Sequence, residues 1–281
     1  MAWVTRFAPS PTGPLHLGHA YAAIVAHDLA QATGGRFLLR IEDIDRGRCR
    51  PEWEAAIYDD LAWLGLEWQT PVWRQSARQP TYTSALNHLI SLGLCYPCQC
   101  SRADIRAALA APQEGAPGPD GPCYPGTCRA RPMAEAGPRD AIRLRLDRAF
   151  ALLGGATLTF SETGPAHTGL HTLHEEWLIT NCGDIVLSRR DMGTSYHLAV
   201  VVDDAAQGVN LVTRGEDLFE ATQIHRLLQA LLQLPTPTYY HHRLIRDATG
   251  KRLAKRDDAR ALARYRAEGA SPADIRHLLD L

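Results

Sequence analysis

The sequence predicts an α/β protein: a parallel sheet with helices on its faces, split by an inserted α+β module. Three observations predict it. The first 65 residues read strand, loop, helix, strand, helix, an order that favours parallel strands joined by crossover helices. The same rhythm returns after about residue 183. Between the two, residues 110–138 are dense in Pro, Gly and Ala with little periodicity, an irregular excursion rather than a core element.

Element by element, residues 3–8 (WVTRFA) predict a short strand, and Pro9, Pro11, Gly13 and Pro14 a loop. Over 17–33, small and apolar residues recur at helical spacing and stop at Gly34-Gly35. Residues 36–42 predict a second strand, and 51–65 an amphipathic helix with Pro51 in its first turn, where a missing N–H costs nothing. In the middle, 141–146 alternate as a half-buried strand and 156–160 as another. Strands are then expected at 185–189 and 209–213, and helices at 195–205 and 218–233. Residues 238–245 predict a strand leading into a Gly-containing basic loop over 246–258, followed by short helices at about 259–268 and 272–280. The expected division is 1–71 and 183–245 for the two halves of the parallel-sheet domain, 72–182 for the insertion, and 246–281 for the loop and its helices.

Of 281 residues, 45% are hydrophobic and 22% charged, proportions that exclude disorder as the dominant state. No run of 18 uncharged apolar residues occurs, so no membrane span is expected. The opening residues, MAWVTRFAPSPTG, lack a charged-then-apolar signal pattern, which makes the cytoplasm the expected compartment. A formal net charge of −1 offers no global attraction to nucleic acid and leaves only a local basic patch. Among the 30 Lys and Arg, Lys251 and Lys255 are the only lysines. An ammonium is a compact point charge that a guanidinium does not replace, although a genome rich in G and C also erodes lysine. Seven Cys, an odd number, argue against a disulfide framework. Five of them, Cys95, Cys98, Cys100, Cys123 and Cys128, cluster and read as a metal site. The pairs Cys98/Cys100 and Cys123/Cys128 flank the irregular 101–122 loop. Thiolate-bound tetrahedral Zn²⁺ would stabilise that loop where no core can.

Four further features carry chemistry. Pro9-Ser10-Pro11-Thr12-Gly13-Pro14-Leu15-His16-Leu17-Gly18-His19 joins the first strand to the first helix. There an open α/β sheet binds ligands and helix N-terminal amides meet anions. His16 and His19 share one face of the helical start and offer donors to phosphoryl oxygens; a His pair so spaced equally caps a helix. Gly18 lets a base or phosphate approach the backbone. Arg40-Ile41-Glu42-Asp43-Ile44-Asp45-Arg46 ends the second strand with alternating carboxylates, at a ligand crevice or in a solvated loop. Ser195-Tyr196-His197-Leu198-Ala199 and Thr213-Arg214-Gly215-Glu216-Asp217-Leu218 supply a phenol and a guanidinium. Arg214 suits a carboxylate bidentately, or is neutralised by Glu216 or Asp217. Gly250-Lys251-Arg252-Leu253-Ala254-Lys255-Arg256 lies in a segment, Arg243 to Arg256, with six basic residues and one acid: a solvated loop or a nucleic-acid patch.

The string Arg6-Phe7-Ala8-Pro9-Ser10-Pro11-Thr12-Gly13, followed by His16-Leu17-Gly18-His19, closely resembles the signature of the glutamyl-tRNA synthetases, class I aminoacyl-tRNA synthetases whose HIGH motif binds ATP. The resemblance runs from Arg6 to about Arg256. It implies the class I Rossmann-type sheet with a zinc-containing insertion. It implies a glutamate site of Arg6, Ala8, Pro9, Ser10, Glu42, Tyr196 and Arg214, with Glu42 on the α-ammonium. It implies ATP bound with Mg²⁺ by His16, Gly18, His19 and Lys255, of which His16, His19 and Lys255 are catalytic. Gly250–Arg256 stands where the family has its KMSKS loop, with Ala254 in place of the usual Ser, which puts a hydroxyl contact to phosphate in doubt. Short stand-alone relatives hold one structural zinc through Cys-x-Cys and Tyr-x-x-x-Cys, here Cys98, Cys100, Tyr124 and Cys128, with Cys123 a competitor for Tyr124. Only about 25 residues follow the basic loop, so no anticodon-binding domain is expected. The branch of the family so shortened transfers glutamate to queuosine in the anticodon of tRNA(Asp), as a monomer. A compact enzyme charging tRNA(Glu) at its 3′ end, or a silent RNA-binding paralogue, fits the same residues.

Overall fold

A computed structural model describes residues 1–101, 103–105, 117–118, 121–246 and 260–281. Lys251, Ala254 and Lys255, with most of the expected basic loop, lie outside the described residues.

The chain opens with β1 (Val4–Phe7), α1 (Leu17–Gln31), β2 (Arg36–Ile41), α2 (Pro51–Trp63) and β3 (Gln69–Arg74). Then come α3 (Gln79–Ser91), β4 (Cys95–Cys98), the short pair β5 (Pro117–Gly118) and β6 (Gly121–Pro122), β7 (Ala141–Leu144) and α4 (Leu146–Leu153). β8 (Thr159–Glu162), β9 (Gly169–Thr172), α5 (Glu175–Asn181) and β10 (Ile185–Ser188) follow. The last stretch holds α6 (Tyr196–Ala206), β11 (Leu211–Gly215), α7 (Ala221–Leu231), β12 (Thr238–His242), α8 (Leu262–Ala267) and α9 (Pro272–Leu278).

β1, β2 and β3 are parallel neighbours. β11 and β12 form a second parallel pair. The two sets meet where β1 lies beside β11. The Asn210 N–H donates to the Val4 carbonyl at 3.1 Å and the Val4 N–H to Asn210 Oδ1 at 2.7 Å. Four alanines of α1, Ala20, Ala23, Ala26 and Ala30, are fully buried. Small side chains at that spacing let the helix lie close on the sheet, and Thr5 Oγ1 donates to the Ala26 carbonyl at 2.7 Å across the contact.

Two strands fall on the other side of the expected division. β10, expected in the parallel sheet, pairs antiparallel with β7, which pairs antiparallel with β4. Asp184 explains this. It is buried ahead of β10 and accepts hydrogen bonds from Tyr96 Oη (2.7 Å), Arg129 Nε (2.7 Å) and the Leu146 N–H (3.0 Å), which fasten β10 to the module. Conversely β8, expected inside the module, pairs parallel with β12 through Tyr239 and Glu162. The first sheet also runs past residue 71 to Arg74 in β3, a strand whose Pro71 is tolerated at a sheet edge. α3, α4 and α5 fall outside the expected elements; in α4, Leu146, Ala149, Phe150 and Leu153 mark one helical face, closed by Gly154 in the left-handed region.

The largest apolar cluster joins α3, β4, β7, α6 and α7; a second joins α1, β2 and α2 to Leu262, Ile275 and Leu279. The C-terminal helices are thereby part of the first half of the fold, and Arg276 adds two bonds to Asp28 at 2.7 and 3.1 Å. Among the described residues no helix is long and apolar enough to cross a membrane.

Candidate active site

A cleft of about 560 Å³ opens where β1, β2, β11 and β12 end and α1 and α6 begin. The carboxyl ends of parallel strands are where such sheets bind ligands, because the strand-to-helix turns there leave side chains and amides unpaired by the sheet. The cleft is lined by Arg6, Ala8, Pro9, Ser10, His16, Gly18, His19, Glu42, Tyr196 and Arg214, every described residue expected to bind glutamate or ATP. The Glu42 N–H donates to the Pro9 carbonyl at 3.0 Å and couples the loops that follow β1 and β2.

The two histidines both cap a helix and face the cleft. The Gly18 N–H donates to His16 Nδ1 at 3.1 Å, and the His16 N–H to His19 Nδ1 at 3.2 Å. The rings lie 3.8 Å apart. A ring whose Nδ1 accepts carries its proton on Nε2 when neutral, so the donor of each imidazole is its Nε2–H. A side chain at position 18 would sit about 3.0 Å from His16 Cε1, so glycine there permits the close approach. Ala261 bridges to His16, and the Leu262 N–H donates to the Leu15 carbonyl at 2.8 Å. The residues that follow the basic segment therefore return to the histidine loop.

Charge in the cleft is organised by a carboxylate that motif reading missed. Asp204, buried on α6, accepts from Arg6 Nε at 3.0 Å and from Arg40 Nη1 at 2.7 Å. Burial alone would raise its carboxyl, but the two guanidiniums hold it below the usual range. Arg40 also reaches Glu42 Oε1 at 3.3 Å. Burial pushes the Glu42 carboxyl up, against the pull of Arg40 and Arg6. Arg6 Nη1 donates to the Thr213 carbonyl at 2.8 Å and ties β1 to β11. The signal for Asp204 was available: Asp203 and Asp204 interrupt the apolar run Leu198–Val202 of a buried helix, and buried acids require partners. His242, Arg243, Leu244 and Ile245 also line the cleft; their strand-end position was the only clue.

Arg214 sits across the cleft at the end of β11. Its donors go to His241 Nε2 (3.0 Å), His225 Nδ1 (2.8 Å) and Thr222 Oγ1 (2.6 Å). Burial, then Arg214 and His197, drives the His225 imidazole well below its ordinary range.

The cysteine cluster lies apart, in the antiparallel module. Cys98, Cys100 and Cys128 place their sulfurs within 4.8 Å of one another, and Tyr124 Oη stands 3.4 Å from Cys98 Sγ and 3.6 Å from Cys100 Sγ. Three thiolates and an oxygen around tetrahedral zinc put sulfurs about 3.8 Å apart and each sulfur about 3.5 Å from the oxygen, so this donor set fits. Cys123 turns away and lies 3.8 Å from the Ile179 carbonyl. The Cys128 thiol is lowered to about 7, hydrogen bonds from the Gln99 backbone and Tyr124 outweighing burial. A second cavity, about 860 Å³, is lined by Cys100, Tyr124, Arg143, His197 and Tyr196, the last shared with the cleft.

The family model for class I tRNA synthetases (E and Q), catalytic domain, matches residues 2–153 and 168–281. The chain is 65% identical over 282 residues to the glutamyl-Q tRNA(Asp) synthetase of Rhodobacter capsulatus, covering 99% of this chain and 100% of that one. It is 42% identical to the protein of that name from Nocardia farcinica, covering 98% and 82%. Among solved structures, a glutamate tRNA ligase from Elizabethkingia meningosepticum in complex with its amino acid superposes with a TM-score of 0.75 at 26% identity, over 97% of this chain. This chain spans 59% of that ligase's length.

Proposed function

The chain belongs to the class I tRNA synthetases of the glutamate and glutamine type, and on that premise we propose that it activates L-glutamate with ATP and transfers it to queuosine in the anticodon of tRNA(Asp). The observation that carries the proposal is the single cleft gathering Arg6, Glu42, Tyr196 and Arg214 with His16, Gly18 and His19, in a chain matched end to end by a relative of that name. A substrate with two carboxylates and one ammonium needs cationic groups on two sides and an anion on a third. Arg214 opposite the Arg6–Glu42 wall supplies that layout.

In the first step a glutamate α-carboxylate oxygen attacks the α-phosphorus of ATP and pyrophosphate leaves. The Nε2–H groups of His16 and His19 donate to phosphate oxygens, and Lys255, outside the described residues, adds its ammonium. Mg²⁺ bound with ATP supplies charge neutralisation on the phosphates. In the second step a hydroxyl of the queuosine cyclopentenediol attacks the mixed-anhydride carbonyl; an ester forms and AMP leaves. Positioning and electrostatic stabilisation do the catalytic work. Cys98, Cys100, Cys128 and Tyr124 hold one structural zinc in this reading, a closed set that fastens the segment around Tyr124 to β4. The enzyme acts as a cytoplasmic monomer.

Incubation with labelled glutamate, ATP and tRNA(Asp) bearing queuosine should put label on the anticodon nucleoside. Label appearing only at the 3′ end of tRNA(Glu) would replace this reading with a compact charging enzyme, and absence of any glutamate-dependent pyrophosphate exchange would replace it with a silent paralogue.

A further inference from the structure

Three arginines at or behind the cleft are held in two ways. Arg6 and Arg40 meet a carboxylate, Asp204. Arg214 meets only neutral acceptors among the described residues: two imidazole nitrogens and a hydroxyl. Each of those nitrogens must offer a lone pair, so each ring carries its proton on the opposite nitrogen. Both protons have an acceptor. His241 Nδ1–H donates to Glu162 Oε2 at 2.5 Å, and His225 Nε2–H to His197 Nδ1 at 3.0 Å. Glu162 is itself locked, its other oxygen taking the N–H of His241 at 2.9 Å and of Gly164 at 2.5 Å. A side chain on residue 164 would lie 2.7 Å from Glu162 Oε1 and 2.4 Å from the His241 carbonyl, so only glycine fits that turn. Glu162, Thr222, His225 and His241 are all at most 2% exposed.

The chemical consequence is specific. An arginine paired directly to a carboxylate has part of its field offset; one held by neutral acceptors keeps its orientation and more of its charge for a ligand. The N–H groups not engaged by these acceptors, one on each terminal nitrogen, suit a carboxylate bidentately. We propose that Glu162, His241 and His225 are positioning residues for amino-acid selection: they aim Arg214 with neutral acceptors and so reserve its charge for a carboxylate of the substrate over a carboxamide. The inference rests on the function proposed above.

The test is calorimetric binding of L-glutamate, L-glutamine and ATP to the full chain and to two pairs of variants. His225→Leu and His241→Leu remove the acceptor; His225→Asn and His241→Gln restore an acceptor oxygen near Nδ1 and Nε2 respectively. The leucine variants should bind glutamate roughly tenfold or more weakly, lose preference over glutamine and keep ATP affinity within about twofold of the parent. The amide variants should recover most of the glutamate affinity. Folded leucine variants that bind glutamate like the parent overturn the inference, and so do amide variants as weak as the leucine ones. A parent chain that binds ATP and not glutamate instead overturns the functional reading beneath it.

Discussion

The cleft and the cysteine cluster are both polar sites on short elements, yet they are held in opposite ways. The cleft is set by the fold: Arg6, Arg40 and Asp204 interlock between β1, β2 and α6, backed by two large apolar clusters. The cysteine cluster rests on a small one, with Tyr96, Cys98 and Tyr124 its buried members among the described residues. Three sulfurs and a phenol gain little from one another and much from a cation. The comparison teaches that one chain carries a site organised by burial and ion pairing beside a cluster of donors that could hold a metal ion.

The strongest way to break the comparison is Asp204→Asn. It leaves two buried guanidiniums facing a neutral amide and should cost about 3–5 kcal/mol in urea unfolding. Because the Asp204 carboxyl is held low, its stabilisation is present above the ordinary aspartate range and is lost as pH falls through the folded value. The deficit of the variant should therefore shrink in acid, and a deficit below about 1 kcal/mol at neutral pH would mean the cleft is not set by this pairing.

Metal dependence should split the two regions next. Cys98→Ser should lower the zinc content of purified protein to near zero and speed amide exchange in β4 and around Tyr124, leaving exchange in β1 and β2 unchanged. Cys123→Ser should keep its zinc, and Tyr124→Phe should weaken it; the reverse order would exchange the two as ligands.

A smaller effect is expected from Asp60, 2% exposed in α2, whose carboxyl burial pushes up to about 6 against the pull of Arg266. A group so raised contributes stability that is present below its unfolded value of about 3.9 and lost as pH rises through its folded one. Asp60→Asn should accordingly be about 2 kcal/mol more stable than the parent above pH ~7 and no better near pH ~4, by thermal unfolding across pH. The smallest effect belongs to Ser271, which caps α9 by accepting from the Asp274 N–H at 3.2 Å. Ser271→Ala should cost about 1 kcal/mol, read at the same midpoint.

The parts legible in the sequence were those whose meaning is local. Pro9 to His19 is one unbroken string at a strand end, so its residue types, spacing and place in the sheet could be read together, and Pro9, Ser10, Thr12, His16, Gly18 and His19 line the cleft. The places of α1, α2, α6, α7, α8 and α9 followed from periodicity and stop signals in the same way, whereas α3, α4 and α5, inside the insertion, did not. What escaped depends on partners far along the chain. The pattern of β10 is the same beside any strand, and only buried Asp184 with Tyr96 and Arg129 decides its sheet. Glu162, His225 and His241 are spread over eighty positions on a strand, a helix and another strand, and no spacing rule joins them. Cys123 and Tyr124 were rival candidates, a thiol by donor type and a phenol by resemblance; neighbours on an extended segment point to opposite faces, and with Tyr124 bridged to Gly183 it is Tyr124 that faces Cys98.

Tyr196 is wall to both cavities. A mixed anhydride of the proposed kind is hydrolysed by any water that reaches it, and it is useful only if a second reactant reaches it first. One side chain therefore faces both the cleft in which the anhydride would form and the cavity beside it. Its size bears at once on containment of the intermediate and on the shape of the neighbouring space.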